Sequence, residues 1–181
     1  MTVFRPSATY RVQLHKDFTF KSLKGIIPYL KSLGIDTIYA SPIFKAIKGS
    51  QHGYDGVDPL TINPEIGTEK ELLELSALLK ENNMFWIQDI VPNHMAFSNE
   101  NEWLMDVLKK GTKSAYFHYF DIDFPTNLSD KRLMVPFLGE DLQEAIAENK
   151  LKVVLKNRQL LLNYGDANWP INDTSYDLIF N

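Results

Sequence analysis

Apolar positions along the first hundred residues alternate between the period of strands and the period of helices. Ala8 to Leu14 predicts a strand. Phe20 to Leu33 predicts a helix, because Leu23, Ile26, Ile27, Leu30 and Leu33 recur at helical spacing and Gly34 follows as a stop. Pro28 falls inside that helix, where a missing amide donor favours a kink or a later start. Thr37-Ile38-Tyr39-Ala40 predicts a short buried strand, and Ser41 to Gly67, rich in Gly, Pro and Asp, a long loop. Thr68 and Glu71 then have capping-box spacing, in which hydroxyl and carboxylate satisfy free backbone N–H groups reciprocally. Leu72, Leu75, Leu78 and Leu79 form the apolar face of the helix that follows, which ends at Asn82-Asn83. Met84 to Val91 is apolar on both faces, the pattern of a parallel strand covered from both sides. Three strand–helix units in series begin either a doubly wound sheet or a (β/α) barrel.

Beyond His94 the rhythm changes. Glu102 to Lys110 predicts a helix stopped by Gly111, Tyr116 to Phe124 an aromatic strand, and Glu140 to Asn149 a short helix. Leu151 to Leu155 and Gln159 to Leu162, joined through Asn157, predict a β-hairpin. This is α+β character following a third strand, not the next turn of the alternating pattern. No internal repeat and no low-complexity segment interrupts it.

A chain of 181 residues with 44% hydrophobic content is long enough for one sizeable core, or one core with an appendage. A net charge of -4 without a dense Lys/Arg stripe argues against a nucleic-acid partner. The lack of cysteine rules out disulfides and thiolate-held metals within the sequence. Met1 to Pro6 has no apolar core of a signal peptide, and no run of eighteen apolar residues occurs, so a cytoplasmic protein without membrane partners is expected.

Two polar clusters fall at the ends of predicted parallel strands, where α/β enzymes hold substrate. The first is Gly49-Ser50-Gln51-His52-Gly53-Tyr54-Asp55, in which glycines flank an imidazole, a phenol and a carboxylate. That mixture suits a sugar, whose apolar face stacks on an aromatic ring while its hydroxyls need donors and acceptors. A capped structural loop accounts for the same composition equally well. The second cluster is Asp89-Ile90-Val91-Pro92-Asn93-His94. Alone, it reads more readily as a structural carboxylate, a turn and a satisfied imidazole; two such clusters on successive strand ends point to a shared pocket. Asp121 and Asp123 sit at strand period and read as a solvated edge, since acid/base work needs carboxylates across a substrate. His15 and His118 complete no metal triad, and no Gly-x-Gly-x-x-Gly or P-loop supports nucleotide binding.

Together these segments resemble the α-amylase family of glycoside hydrolases. Asp89-Ile90-Val91-Pro92-Asn93-His94 is similar to the family's first conserved region, at the end of barrel strand three, and His52-Gly53-Tyr54-Asp55 after strand two reinforces the match. Within the family the chain resembles the trehalose-forming members. That likeness rests on Thr9-Tyr10-Arg11-Val12-Gln13-Leu14-His15, Ser41-Pro42-Ile43, Val57-Asp58-Pro59 and Asn63-Pro64-Glu65-Ile66-Gly67. It continues through Trp103-Leu104-Met105-Asp106-Val107-Leu108 and Phe120-Asp121-Ile122-Asp123-Phe124.

The resemblance implies an α/β fold: residues 1–94 as the first three β/α units of a (β/α)8 TIM-type barrel, and 95–181 as the start of an inserted α+β domain. It implies a maltooligosaccharide, an α-1,4-glucan, as substrate. Tyr54 would stack on the sugar, His52 and His94 would bond its hydroxyls, and Asp55 would close the end of that subsite. Asn93 matches a position that ligates calcium in many amylases, but trehalose-forming members are not generally calcium enzymes; neither metal nor cofactor is expected. Asp89 would orient the site as a buried carboxylate paired with an arginine on the next barrel strand, with Gln13 and His15 in support. Without that arginine, Asp89 is expected to be hydrated, paired elsewhere or protonated. The family's nucleophilic Asp, acid/base Glu and third Asp come from later strands, so no catalytic residue is assigned here, and the chain is expected to be an N-terminal fragment, inactive alone. A free-standing carbohydrate-binding module, or a piece of another hydrolase or transglycosylase of the family, are the alternatives. Open sheet edges would make the isolated chain self-associate.

Overall fold

The computed structural model describes residues 5–122 and 135–176. They divide into two compact units, Met1–Glu100 and Asn101–Asn181.

In the first unit, β1 (Thr9–Val12) leads into α1 (Phe20–Ser32) and β2 (Thr37–Ala40). Next come β3 (Phe44–Ala46), β4 (Gly56–Ile62), α2 (Glu69–Glu81) and β5 (Phe85–Gln88). The sheet has the order β1-β2-β5, all parallel, with Tyr10, Ile38 and Trp86 in one row and Arg11, Tyr39 and Ile87 in the next. Both predicted helices form as their patterns require. Thr19 caps α1 through Ser22 N–H, and the capping box of Thr68 and Glu71 is complete on α2. Pro28 is tolerated within α1 because it lies on the solvent side, where the carbonyl it leaves unpaired meets water.

The two helices bury one face of the sheet. Leu23, Ile27 and Leu30 of α1 and Leu75 and Leu79 of α2 meet Val12, Ile38, Ala40 and Met84 in a single cluster. Each fully buried aliphatic side chain there contributes about 1.5–3 kcal/mol. Among the described residues no helix packs on the opposite face, which corrects the expectation that the third strand is enclosed on both sides. Phe85 and Ile87 remain exposed because α1 and α2 both pack on the other face. The Ser41 to Gly67 loop is also more ordered than expected. It contains the antiparallel pair β3–β4, whose register shifts twice along three paired residues. Asp58 and Pro59 interrupt the alternation in β4, so no strand period shows in the sequence.

At the lower end, Asp36 accepts the Ser7 and Ala8 amides and the Ser7 and Thr37 hydroxyls, fastening β1 to β2. Those donors, the Ser7 hydroxyl foremost, hold its carboxyl far below the usual range.

The second unit holds α3 (Glu102–Lys110), α4 (Leu142–Ala147) and an antiparallel meander of β6 (Leu151–Lys156), β7 (Gln159–Tyr164) and β8 (Ala167–Pro170). Asn101 caps α3, and Gly111 ends it with φ of 57°. Asn157 and Arg158, at φ of 51° and 62°, make the two-residue hairpin turn that a right-twisted pair of strands favours. Strand β8 was not expected. The aromatic strand predicted from Tyr116 is instead a 3-10 turn at Phe117–Tyr119; its end, with Asp123 and Phe124, lies outside the described residues. Trp103 of α3 draws Tyr116 into a stack 5.0 Å away and Tyr119 to 5.1 Å, which curls the segment against the helix. Among the described residues no helix is long and apolar enough to cross a membrane.

Gly67 precedes the α2 cap at φ of 143°, and a Cβ there would stand 2.6 Å from the Phe20 ring and 2.9 Å from the Glu71 carboxylate. Gly67→Ala is therefore expected to lower unfolding free energy by about 2–3 kcal/mol in a urea titration. Gly25→Ala, inside α1 with nothing within 4 Å, is expected to raise it slightly.

Candidate functional site

Side chains at the carboxyl-terminal ends of β1, β2 and β5 converge on the loop between β3 and β4. Gly53 lets that loop approach the sheet: it has φ of 76°, and a Cβ would lie 2.8 Å from the Pro42 carbonyl. The loop is braced from within by Ser50, whose hydroxyl donates to Asp55 and accepts Gly53 N–H at 3.1 Å. Directly after β1, Gln13 Nε2 donates to the Gln51 carbonyl at 2.7 Å.

Tyr54 is held at both ends. Its phenol donates to Asp89 Oδ2 and accepts from Arg11 Nη2 at 3.3 Å. Its N–H donates to His52 Nδ1 at 3.0 Å, and its carbonyl lies 3.0 Å from His94 Nε2. These bonds select tautomers. His52 accepts at Nδ1, so in the neutral ring its proton is on Nε2. His94 faces a carbonyl, which only accepts, so its proton is on Nε2 and Nδ1 is left as an acceptor. Two half-open imidazoles, one presenting a donor and the other an acceptor, thus bond the two peptide groups of Tyr54; the His52 and Tyr54 rings are 5.9 Å apart.

Asp89 is half-buried, not enclosed, and it is paired without a direct arginine bond. The Tyr54 phenol donates to its carboxylate. The hydrogen-bonding influence of Asp89, followed by desolvation and the Asp89 charge, pushes the Tyr39 phenol above its usual range, while Arg11, 5.9 Å from the ring centre, opposes the shift.

Of the residues singled out in the sequence, Gln13, His52, Tyr54, Asp55, Asp89 and His94 come together here. Asn93 is exposed beside them, and no group of three or more His, Cys, Asp or Glu among the described residues has metal-holding geometry. His15 lies apart, in a turn where Nδ1 accepts Asp17 N–H at 3.2 Å. Arg11 and Tyr39 are functional candidates that pattern reading missed. Their shared face of adjacent parallel strands was the available signal. The space enclosed beside His94 by Gly53, Gly56, Ile90 and Met95 is about 50 Å³, well below the ~300 Å³ of a ligand pocket. The site is an open wall.

Residues 17–178 match the family model of the α-amylase catalytic domain. A putative maltooligosyl trehalose synthase of Mycobacterium tuberculosis is 43% identical over 141 residues, which are 74% of this chain and 18% of that protein. A crystal structure of maltooligosyl trehalose synthase superposes with a TM-score of 0.85 at 43% identity, over 96% of this chain and 24% of that one. The maltooligosyltrehalose synthase of Arthrobacter ramosus gives 0.83 at 37% identity, over 94% and 22%. The chain therefore spans about a fifth of the length of these relatives.

The shared carboxylate makes the Tyr39 phenol a reporter of the site. Asp89→Asn removes a negative charge and a strong acceptor, so the Tyr39 ionisation midpoint is expected to fall toward that of a free tyrosine. Tyrosine labelled at 13Cζ, with Tyr39→Phe for assignment, reads this by alkaline NMR titration; an unmoved midpoint would sever Asp89 from Tyr39.

Proposed function

This chain belongs to the α-amylase family, and on that premise we propose that it forms one wall of an α-1,4-glucan pocket as the N-terminal part of a maltooligosyl trehalose synthase. In this reading residues 1–94 are the first three β/α units of an eight-fold barrel, and 95–181 begin an α+β domain inserted after the third strand. The observation that carries it is Tyr54, its phenol held between Arg11 and Asp89 and its peptide groups bonded by two imidazoles of opposite hydrogen-bonding sense. A pyranose matches that arrangement: its apolar face covers the ring, and neighbouring hydroxyls accept from His52 Nε2 and donate to His94 Nδ1. Asp55, held by Ser50 at the loop's turn, closes the end of the subsite. Asn93 stands at its margin.

The proposed parent reaction is an intramolecular transglucosylation with retention. The α-1,4 bond of the reducing-end glucose breaks, a glycosyl–enzyme ester holds the remaining chain, and the anomeric hydroxyl of the released glucose reattaches to give an α,α-1,1 linkage. Atoms balance without water or a cofactor. Retention requires two carboxyl groups about 5 Å apart across the scissile bond. The carboxylates of this wall are otherwise engaged, Asp89 by the Tyr54 phenol and Asp55 by Ser50. The 181 residues thus supply binding surface and not the reacting pair.

Maltohexaose is expected to bind the purified chain saturably by calorimetry, Tyr54→Ala to abolish that binding, and chromatography to find no non-reducing trehalosyl product. Turnover by the chain alone would refute the assignment of the reacting pair to other residues. Separately, β1 and β5 are edge strands among the described residues, and β5 exposes Phe85 and Ile87. The isolated chain is expected to self-associate through these edges. Light scattering at tens of micromolar tests this, and a monomer there would count against it.

A further inference from the structure

We infer that Arg11 is the positioning cation of the proposed sugar wall, a single guanidinium that heads two hydrogen-bond chains and so sets the orientation of both Tyr54 and the loop that carries it. Its Nη1 donates to Gln13 Oε1 at 3.0 Å and its Nη2 to the Tyr54 phenol oxygen at 3.3 Å. A guanidinium has donors only, which gives each chain a fixed direction. Gln13 must turn its oxygen toward Arg11, and its Nε2 then faces the Gln51 carbonyl, to which it donates at 2.7 Å. The Tyr54 oxygen, having accepted from Arg11, sends its own proton to Asp89. One chain therefore ends on the loop backbone, one residue before His52, and the other on the carboxylate at the end of β5.

The same geometry makes arginine specific. Two donors diverging from one plane reach Gln13, two residues along the strand, and Tyr54, across the loop. Parallel pairing aligns Arg11 with Tyr39, and its charge lies over that ring. A lysine ammonium keeps the charge but cannot serve both arms in this geometry. Arg11 is itself exposed, so its role is orientation and not core stability. It also carries positive charge to Asp89 through a phenol instead of a direct ion pair.

The effect on affinity rests on the glucan reading above, whereas the shared head of the two chains does not. The 181-residue chain, labelled at tyrosine 13Cζ and at glutamine side-chain 15N, tests both. Arg11→Ala is expected to move the Tyr54 Cζ and Gln13 Nε2 resonances together, with the unfolding midpoint unchanged. Maltohexaose binding should weaken about tenfold, the worth of one charged hydrogen bond. Millimolar methylguanidinium should restore all three, and Arg11→Lys should not restore the Gln13 resonance. If either resonance stays in place in Arg11→Ala, the common head is wrong. If both move while affinity is unchanged, positioning is wrong. If both move and the unaltered chain binds no maltohexaose, the glucan reading fails and Arg11 stands as the head of both chains.

Discussion

The wall depends on one constraint: the Tyr54 ring has no independent freedom. Its oxygen is fixed between a donor on β1 and an acceptor at the end of β5, and its peptide groups are fixed by two imidazoles. The loop between β3 and β4 thereby acquires the precision of the sheet. A partly buried aromatic ring proposed to stack on a sugar binds best if its ordering entropy is paid before the ligand arrives. The loop's internal bonds, from Ser50 to Gly53 and Asp55, do the same for the residues on either side.

That arrangement follows from how the sheet is covered. Both helices pack on the face of Val12, Ile38 and Ala40, which leaves the alternate row of Arg11, Tyr39 and Ile87 open. Parallel pairing brings the carboxyl ends of the three strands to one edge, so consecutive open-face positions stack Arg11, Tyr39 and Asp89 near a single loop. Polar residues of this kind would be costly on the helix-covered face, where nothing polar could satisfy them. The same face therefore carries both the candidate site and the exposed Ile87.

Local signals carried far in the sequence. The Thr68–Glu71 capping box, the Gly111 stop and the turn at Asn157 each depend on residues within a few positions, and each element formed with its expected character. What could not be read involves partners distant along the chain. Arg11 meets Tyr54 across 43 residues, and Tyr54 meets Asp89 across 35. No periodicity encodes such pairings. The segment from Tyr116 failed for a related reason: its aromatic run satisfied a strand pattern, but Trp103 on a neighbouring helix offered a better partner than a strand would. Strands β3 and β4 were hidden by Asp58 and Pro59, residues that break alternation without preventing an irregular pair.

Asp89 shows how such a carboxylate can persist without a directly bonded arginine. Bringing a charge out of water is expensive when its only compensation is a single opposite charge that must also be desolvated. A phenol is a less demanding partner. It is neutral, it donates a directional bond to the carboxylate, and its ring sits comfortably in a partly apolar setting. The half-exposure of Asp89 reduces the penalty further. Arg11 then needs no contact with Asp89, since polarising the phenol between them stabilises the same negative charge at one remove. The carboxylate is thereby committed to holding Tyr54, which in the proposed glucan reading suits it to orienting a substrate and not to attacking one.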